Sequence, residues 1–194
     1  WLWPALTALW VNLHGGFAVG LLLLLIELIS TGLDRITPTR FGIPPSGSPK
    51  LGLGAIAAGA GMSAAAVSLN PNGPLMLAYP FKTVSIGVLQ DYIQEWQSPN
   101  FHSLELQPFL WMLLLTLAFL ALSPEAPSWR EVLSVSAFAY LGFLAARNIA
   151  LFALVALPIL TKHMALTLQN WFPSRKPANQ FSARTAQAVN VLLL

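Results

Sequence analysis

Long apolar runs, each broken by a short polar or proline-rich stretch, set the pattern of this chain. A bilayer core of about 30 Å takes about 20 helical residues to cross. By that ruler the pattern predicts spans at Phe17 to Leu33, Leu51 to Leu69, Leu104 to Leu122, Trp129 to Ala146 and Ile149 to Leu168. Trp1 to Leu13 reads as the end of an earlier span. The second run, LGLGAIAAGAGMSAAAVSL, repeats small residues at every fourth position (Ala55, Gly59, Ser63; Ala57, Gly61, Ala65). That spacing lets helix backbones approach closely, so a helix buried between others is expected there. In SWRE, Ser128 and Glu131 stand three apart before an apolar run, the signature of a capping box.

The connectors carry their own pattern. NPNGP at Asn70 to Pro74 forbids helix continuation. After it, VLQDYIQEW puts Val88, Leu89, Tyr92, Ile93 and Trp96 on one helical face and Gln90, Asp91, Gln94 and Glu95 on the other. This is the pattern of a helix lying in the membrane interface, expected over 84–96. The expected architecture is all-α: a bundle over 1–168 of about five transmembrane helices with an interfacial amphipathic helix in the 70–107 loop. Residues 169–194 read as a cytoplasmic tail or the start of a further segment.

Composition agrees with a lipid-embedded protein: the hydrophobic class makes up 56% of the 194 residues and the charged class 9%, against about 25% charged in a soluble domain. Cysteine is absent, which excludes disulfides, thiolate metal sites and thiol nucleophiles. The net charge of +3 comes from scattered Lys and Arg with no basic run to track a phosphate backbone, so nucleic acid is not an expected partner. The basic residues instead orient the bundle. Arg35, Arg40 and Lys50 mark the 34–50 loop, and Lys162, Arg175, Lys176 and Arg184 the tail, as cytoplasmic; Asp91, Glu95 and Glu105 fall in the opposite, outer loop. That assignment requires a turn near Arg147 and Asn148.

With this topology the scarce polar groups share one side, and ionisable groups in such a chain mark functional sites by default. His14 with Gly15 and Gly16 could contact a metal, pigment or phosphate, or simply cap a helix break. Asp91 and Glu95, at i and i+4, could bind a divalent cation or supply a general base, and His102 could join them as a metal ligand. Arg147 calls for a carboxylate, a carbonyl or a lipid phosphate. Glu27, inside LLLLLIELIS, must face the bundle and pair or stay protonated. No Walker A, G-x-S-x-G, H-E-x-x-H or G-x-G-x-x-G motif occurs.

At WVNLHGGFAVG, SLNPNGPLMLAYP, EWQSPNFH and AARNIALFALVALPIL the chain resembles a family of bacterial multi-pass membrane proteins similar to the GT-C glycosyltransferases, over most of positions 10 to 160. The resemblance implies the carboxyl-terminal portion of an inner-membrane domain that transfers sugar from a polyprenyl-phosphate donor at the extracytoplasmic face. The resemblance implies an outer-face cluster holding the lipid-linked donor, with Arg147 and His14 as phosphate candidates; from their own positions, Asp91 and Glu95 are the candidate catalytic residues, one of them deprotonating the acceptor hydroxyl, and Gly15, Gly16 and His102 are further candidates for substrate contact. Membrane lipids and other transmembrane helices or subunits are the remaining expected partners. Two competing readings exist. One is an accessory subunit of a respiratory or photosynthetic complex, with His14, His102 or His163 as ligands to haem or chlorophyll. The other is a transporter, hinted at only by the helix break at LHGG.

Overall fold

A computed structural model describes residues 2–37, 42–46, 51–84 and 86–173; the side chains of Val84, Leu89, Gln90 and Asp91 fall outside that description. The described residues are all-helical. Eight α-helices follow one another: α1 (Leu2–Leu13), α2 (Phe17–Ile36), α3 (Leu53–Ala66), α4 (Tyr79–Val84), α5 (Gly87–Tyr92), α6 (Gln107–Leu122), α7 (Trp129–Leu144) and α8 (Ile149–Trp171). Short 3₁₀ turns extend α3 to Leu69, precede α4 over Gly73–Ala78, and fill Gln94–Trp96, Leu104–Leu106 and Ala146–Asn148.

Among the described residues, three helical stretches are long and apolar enough to cross a membrane: Phe17–Ile36, Leu104–Leu122 and Ala146–Trp171. A fourth arises if Leu53–Leu69 and Gly73–Thr83, bent by 109° at the intervening break, count together. The expected five spans therefore reduce to three or four by length and composition. The shortfall lies in α7, whose 16 residues rise only about 24 Å and carry Arg130 and Glu131 in the first turn, and in α3, which passes only together with the segment after its bend. The start of α7 is as expected: Ser128 caps Glu131 N while the Glu131 carboxylate accepts from Ser128 N at 2.8 Å. The turn needed before Ile149 is present too. Ala145 breaks the helix with extended backbone (φ −154°, ψ 132°), so α7 and α8 are separate helices packed on each other.

α6, α7 and α8 pack together, α2 lies against α7, and α3 bridges α1 and α2. The main core joins Ile26 of α2, Phe109 and Leu113 of α6, Val135 and Phe138 of α7, and Phe152 and Ala156 of α8. Dispersion between close-packed atoms holds such a core, since lipid offers no hydrophobic gain for joining helices. Phe109 meets Phe152 edge to face at 5.2 Å and Phe143 at 5.5 Å. Gly142 opposes that ring so closely that a Cβ there would lie 2.8 Å from Phe109 Cζ. A second core, Val11, Phe17, Val67 and Met76, ties the α1–α2 corner to the end of α3.

The small-residue pattern of α3 plays a different part from the one expected. Ser63 and Ile56 are buried, but a Cβ at Gly54, Gly59 or Gly61 would meet nothing within 4 Å. These glycines face open space. The close approaches occur instead at Gly15, Gly16, Gly20 and Gly142.

Candidate functional site

The bundle has two ends. At one lie the α1–α2 corner (14–17) with the segment after α3 (67–79), and the 94–106 stretch with the α7–α8 turn (145–148). Asn70 Nδ2 donates to Val11 O at 3.1 Å, Ala146 N donates to Gln97 O at 3.0 Å, and Phe101 stacks on Phe109 and meets Phe143. At the other end lie the last turn of α2, residues 42–46, the start of α7 and the second half of α8. His14, Gly15, Gly16, Glu95, His102 and Arg147 all lie at the first end.

Each of these residues has a definite setting. His14 Nδ1 accepts from Gly16 N at 2.8 Å, satisfying a backbone donor just before α2 begins. The paired glycines are required by packing: a Cβ on Gly15 would lie 2.8 Å from Tyr79 Cε1, and one on Gly16 2.8 Å from His14 Nδ1. The close approach that glycine allows is thus taken up by the Tyr79 ring and the His14 imidazole. Asn12 and Asn70 fasten the same corner, with Asn70 Nδ2 3.3 Å from Asn12 Oδ1 and Asn12 Nδ2 donating to Ala8 O at 2.8 Å.

Arg147 stands on the 3₁₀ turn between α7 and α8. Its guanidinium lies 4.4 Å over the Trp96 ring and 3.6 Å from Glu95 Oε1, a separation beyond hydrogen-bond range. The first is a cation–π contact, and the second leaves the fork's donors uncommitted to Glu95. Of the carboxylates in the 70–107 loop, Glu95 is the one beside Arg147. His102 is exposed, its backbone N–H bonded to Asn100 Oδ1 at 3.1 Å. Asp91 lies on α5, and its side chain is outside the described residues, as are Arg40, Lys50, Arg175, Lys176 and Arg184. The interfacial helix expected over 84–96 is broken: α5 ends at Tyr92, and Ile93 (φ −113°, ψ 108°) separates it from the turn holding Glu95 and Trp96. Asp91 and Glu95 therefore do not share one continuous helical face. Among the described residues no three His, Asp or Glu side chains group as a metal site.

The opposite end holds a polar cluster that reading along the chain does not assemble. Arg130 Nη2 donates to Glu27 Oε1 at 2.6 Å. Glu131 accepts from Lys162 Nζ at 2.9 Å, and its Oε1 lies 3.4 Å from Nε2 of the wholly buried His163. Neither ring nitrogen of His163 has a hydrogen-bond partner, and Arg130 Nε has none. Residues 42–46 are strapped on: Ser46 N and Oγ donate to the two Asp34 oxygens at 2.8 and 3.1 Å, and Arg130 N donates to Ser46 Oγ. Trp129 Nε1 donates to Thr37 Oγ1 at 2.8 Å. The signal available in the sequence was Glu27 itself, a carboxylate inside an apolar run that needs a cation from another helix.

Compared with known proteins, the chain matches no family model, no curated protein and no solved structure.

Proposed function

We propose that this bundle belongs to a bacterial inner-membrane enzyme of GT-C type, transferring a sugar from a polyprenyl-phosphate donor at the membrane end that carries Arg147. The observation that carries the reading is the Arg147 guanidinium, placed over the Trp96 ring with Glu95 beside it but too far to take its hydrogen bonds. A planar fork backed by an aromatic ring suits a phosphate, and the first turn of Ala146–Trp171, a stretch long and apolar enough to cross a membrane, is the depth at which a lipid phosphate sits. In this reading Asp91 or Glu95 accepts the proton of the acceptor hydroxyl as its oxygen bonds to the sugar's anomeric carbon. The bond from that carbon to the phosphate oxygen breaks, and Arg147 stabilises the charge left on the lipid phosphate. His14 and His102, at the same end, contribute further donors to the substrate.

Turnover of a radiolabelled polyprenyl-phosphate sugar, measured in membranes containing the whole protein, tests this. Arg147→Ala lowers turnover by about a hundredfold, as expected for losing a donor to developing charge, and Arg147→Lys recovers only part of it because the fork is lost. Unchanged turnover in Arg147→Ala together with Asp91→Asn and Glu95→Gln defeats the proposal. One observation favours the accessory-subunit reading: the open face at Gly54, Gly59 and Gly61 is shaped for close approach by another helix. Stable co-purification with a larger complex, with pigment absorbance in the visible, supports that reading instead.

A further inference from the structure

The bend of 109° after α3 raises the question of where residues 73–93 go. We propose that this stretch is an interfacial anchor: it lies flat at the Arg147 end of the bundle and buries its apolar side chains at the boundary between lipid headgroups and acyl chains. The partner is the bilayer itself, and the inference does not depend on the transferase reading.

Three observations support this over a span broken in its middle. First, both ends of the stretch are fixed at the same end of the bundle. Asn70 is bonded to Val11 and Asn12 on the α1–α2 side. On the other side Gln97 accepts from Ala146, and Arg147 covers Trp96. A segment that leaves and returns at one end does not cross. Second, the helical pieces are too short to cross: the 3₁₀ turn Gly73–Ala78 and α4, six residues each, rise roughly 21 Å together and head away at a steep angle to α3. Third, the stretch exposes large apolar side chains in succession, Phe81 at 77% and Tyr92 at 83%, with Leu75, Ile86, Val88 and Ile93 also exposed. From Asn70 to Gln90 the only charged residue is Lys82. Water would not tolerate such a run on a connector. An interface accommodates it, with aromatic rings at headgroup level. Met76, buried with Val11, Phe17 and Val67, and Tyr79, seated on Gly15, pin the stretch to the bundle beneath.

These 194 residues hold no cysteine, so no native thiol among them competes for the label. Single cysteines at Phe81, Val88 and Tyr92 are spin-labelled in the whole protein, reconstituted in vesicles of phosphatidylcholine and phosphatidylglycerol. Power saturation then compares collisions with oxygen and with a water-soluble nickel chelate. Leu157, exposed on α8 and about 15 Å along the helix from Arg147, serves as the deep-lipid reference, and Glu125, in the 123–128 loop, as the aqueous one. The anchor places all three labels about 5–10 Å below the phosphates, with oxygen access exceeding nickel access but below that at Leu157. Nickel access equal to that at Glu125 overturns the proposal, and so does a depth equal to that of Leu157, which makes the stretch part of a broken span. Low access to both reagents overturns it as well, because protein rather than lipid then covers the surface. Since all three sites are exposed, agreement among them also shows that no single substitution has unseated the stretch.

Discussion

Glu27→Gln probes how far the fold depends on charge inside an apolar bundle. The carboxylate it removes accepts from Arg130 at 2.6 Å, with the two side chains 24% and 34% exposed. Removing one member of a fully buried pair costs about 3–5 kcal/mol, because the other is left charged and dry. A fully exposed pair contributes about 0–1 kcal/mol. Arg130 is already short of one partner, at Nε, so losing Glu27 leaves its charge uncompensated, while its partial exposure screens that cost. We expect a loss of about 2 kcal/mol, between the two limits. Equilibrium unfolding in mixed micelles by added dodecyl sulfate measures it, in a cycle of Glu27→Gln, Arg130→Gln and the double variant. Each single change should shift the midpoint down, and the double change should cost clearly less than the two together, since it removes both charges. Strict additivity would mean that the contact carries no coupling and that lipid headgroups or water compensate each charge separately, refuting the reasoning.

Other substitutions test the packing. Gly142→Ala should destabilise by about 1–3 kcal/mol, the range for overpacking a filled core, because its Cβ meets the buried Phe109 ring; Phe109→Leu in the same chain should restore part of the loss. Gly15→Ala should push Tyr79 off the α1–α2 corner and raise proteolysis within 73–93, an effect that Tyr79→Ala reproduces alone and that the pair does not double. Ser128→Ala, which removes one half of the capping box, should cost about 1 kcal/mol. The same change should speed hydrogen exchange in the first turn of α7 rather than throughout it.

Much of this fold can be read along the chain because run length and local signals act over a few residues. The starts of α2 and α8, the end of α6, the capping box at Ser128 and the break before Arg147 all depend on neighbours within about one helical turn. The end at which His14, Glu95, His102 and Arg147 gather follows from simple alternation of helices. What could not be read depends on which side chains meet across helices. Arg130 and Glu27 are separated by 103 positions, and no local pattern ties them. The glycines misled for the same reason: spacing marks a flat helix face, but only a facing helix turns it into a contact. None faces Gly59 and Gly61, whereas Gly142, which stands in no such series, meets an aromatic ring. Trp96 beneath Arg147 was legible as a nearby anchor but not as a stacking partner, because the break at Ile93 redirects the chain just before it.

The bond from Ala146 N to Gln97 O has a mechanical consequence. It joins the corner where α7 and α8 separate to the residue after the 94–96 turn, within a residue of where Arg147 covers Trp96. Two neighbouring contacts thus clip one short turn to the corner of the helical pair, and that turn cannot lift away without breaking both.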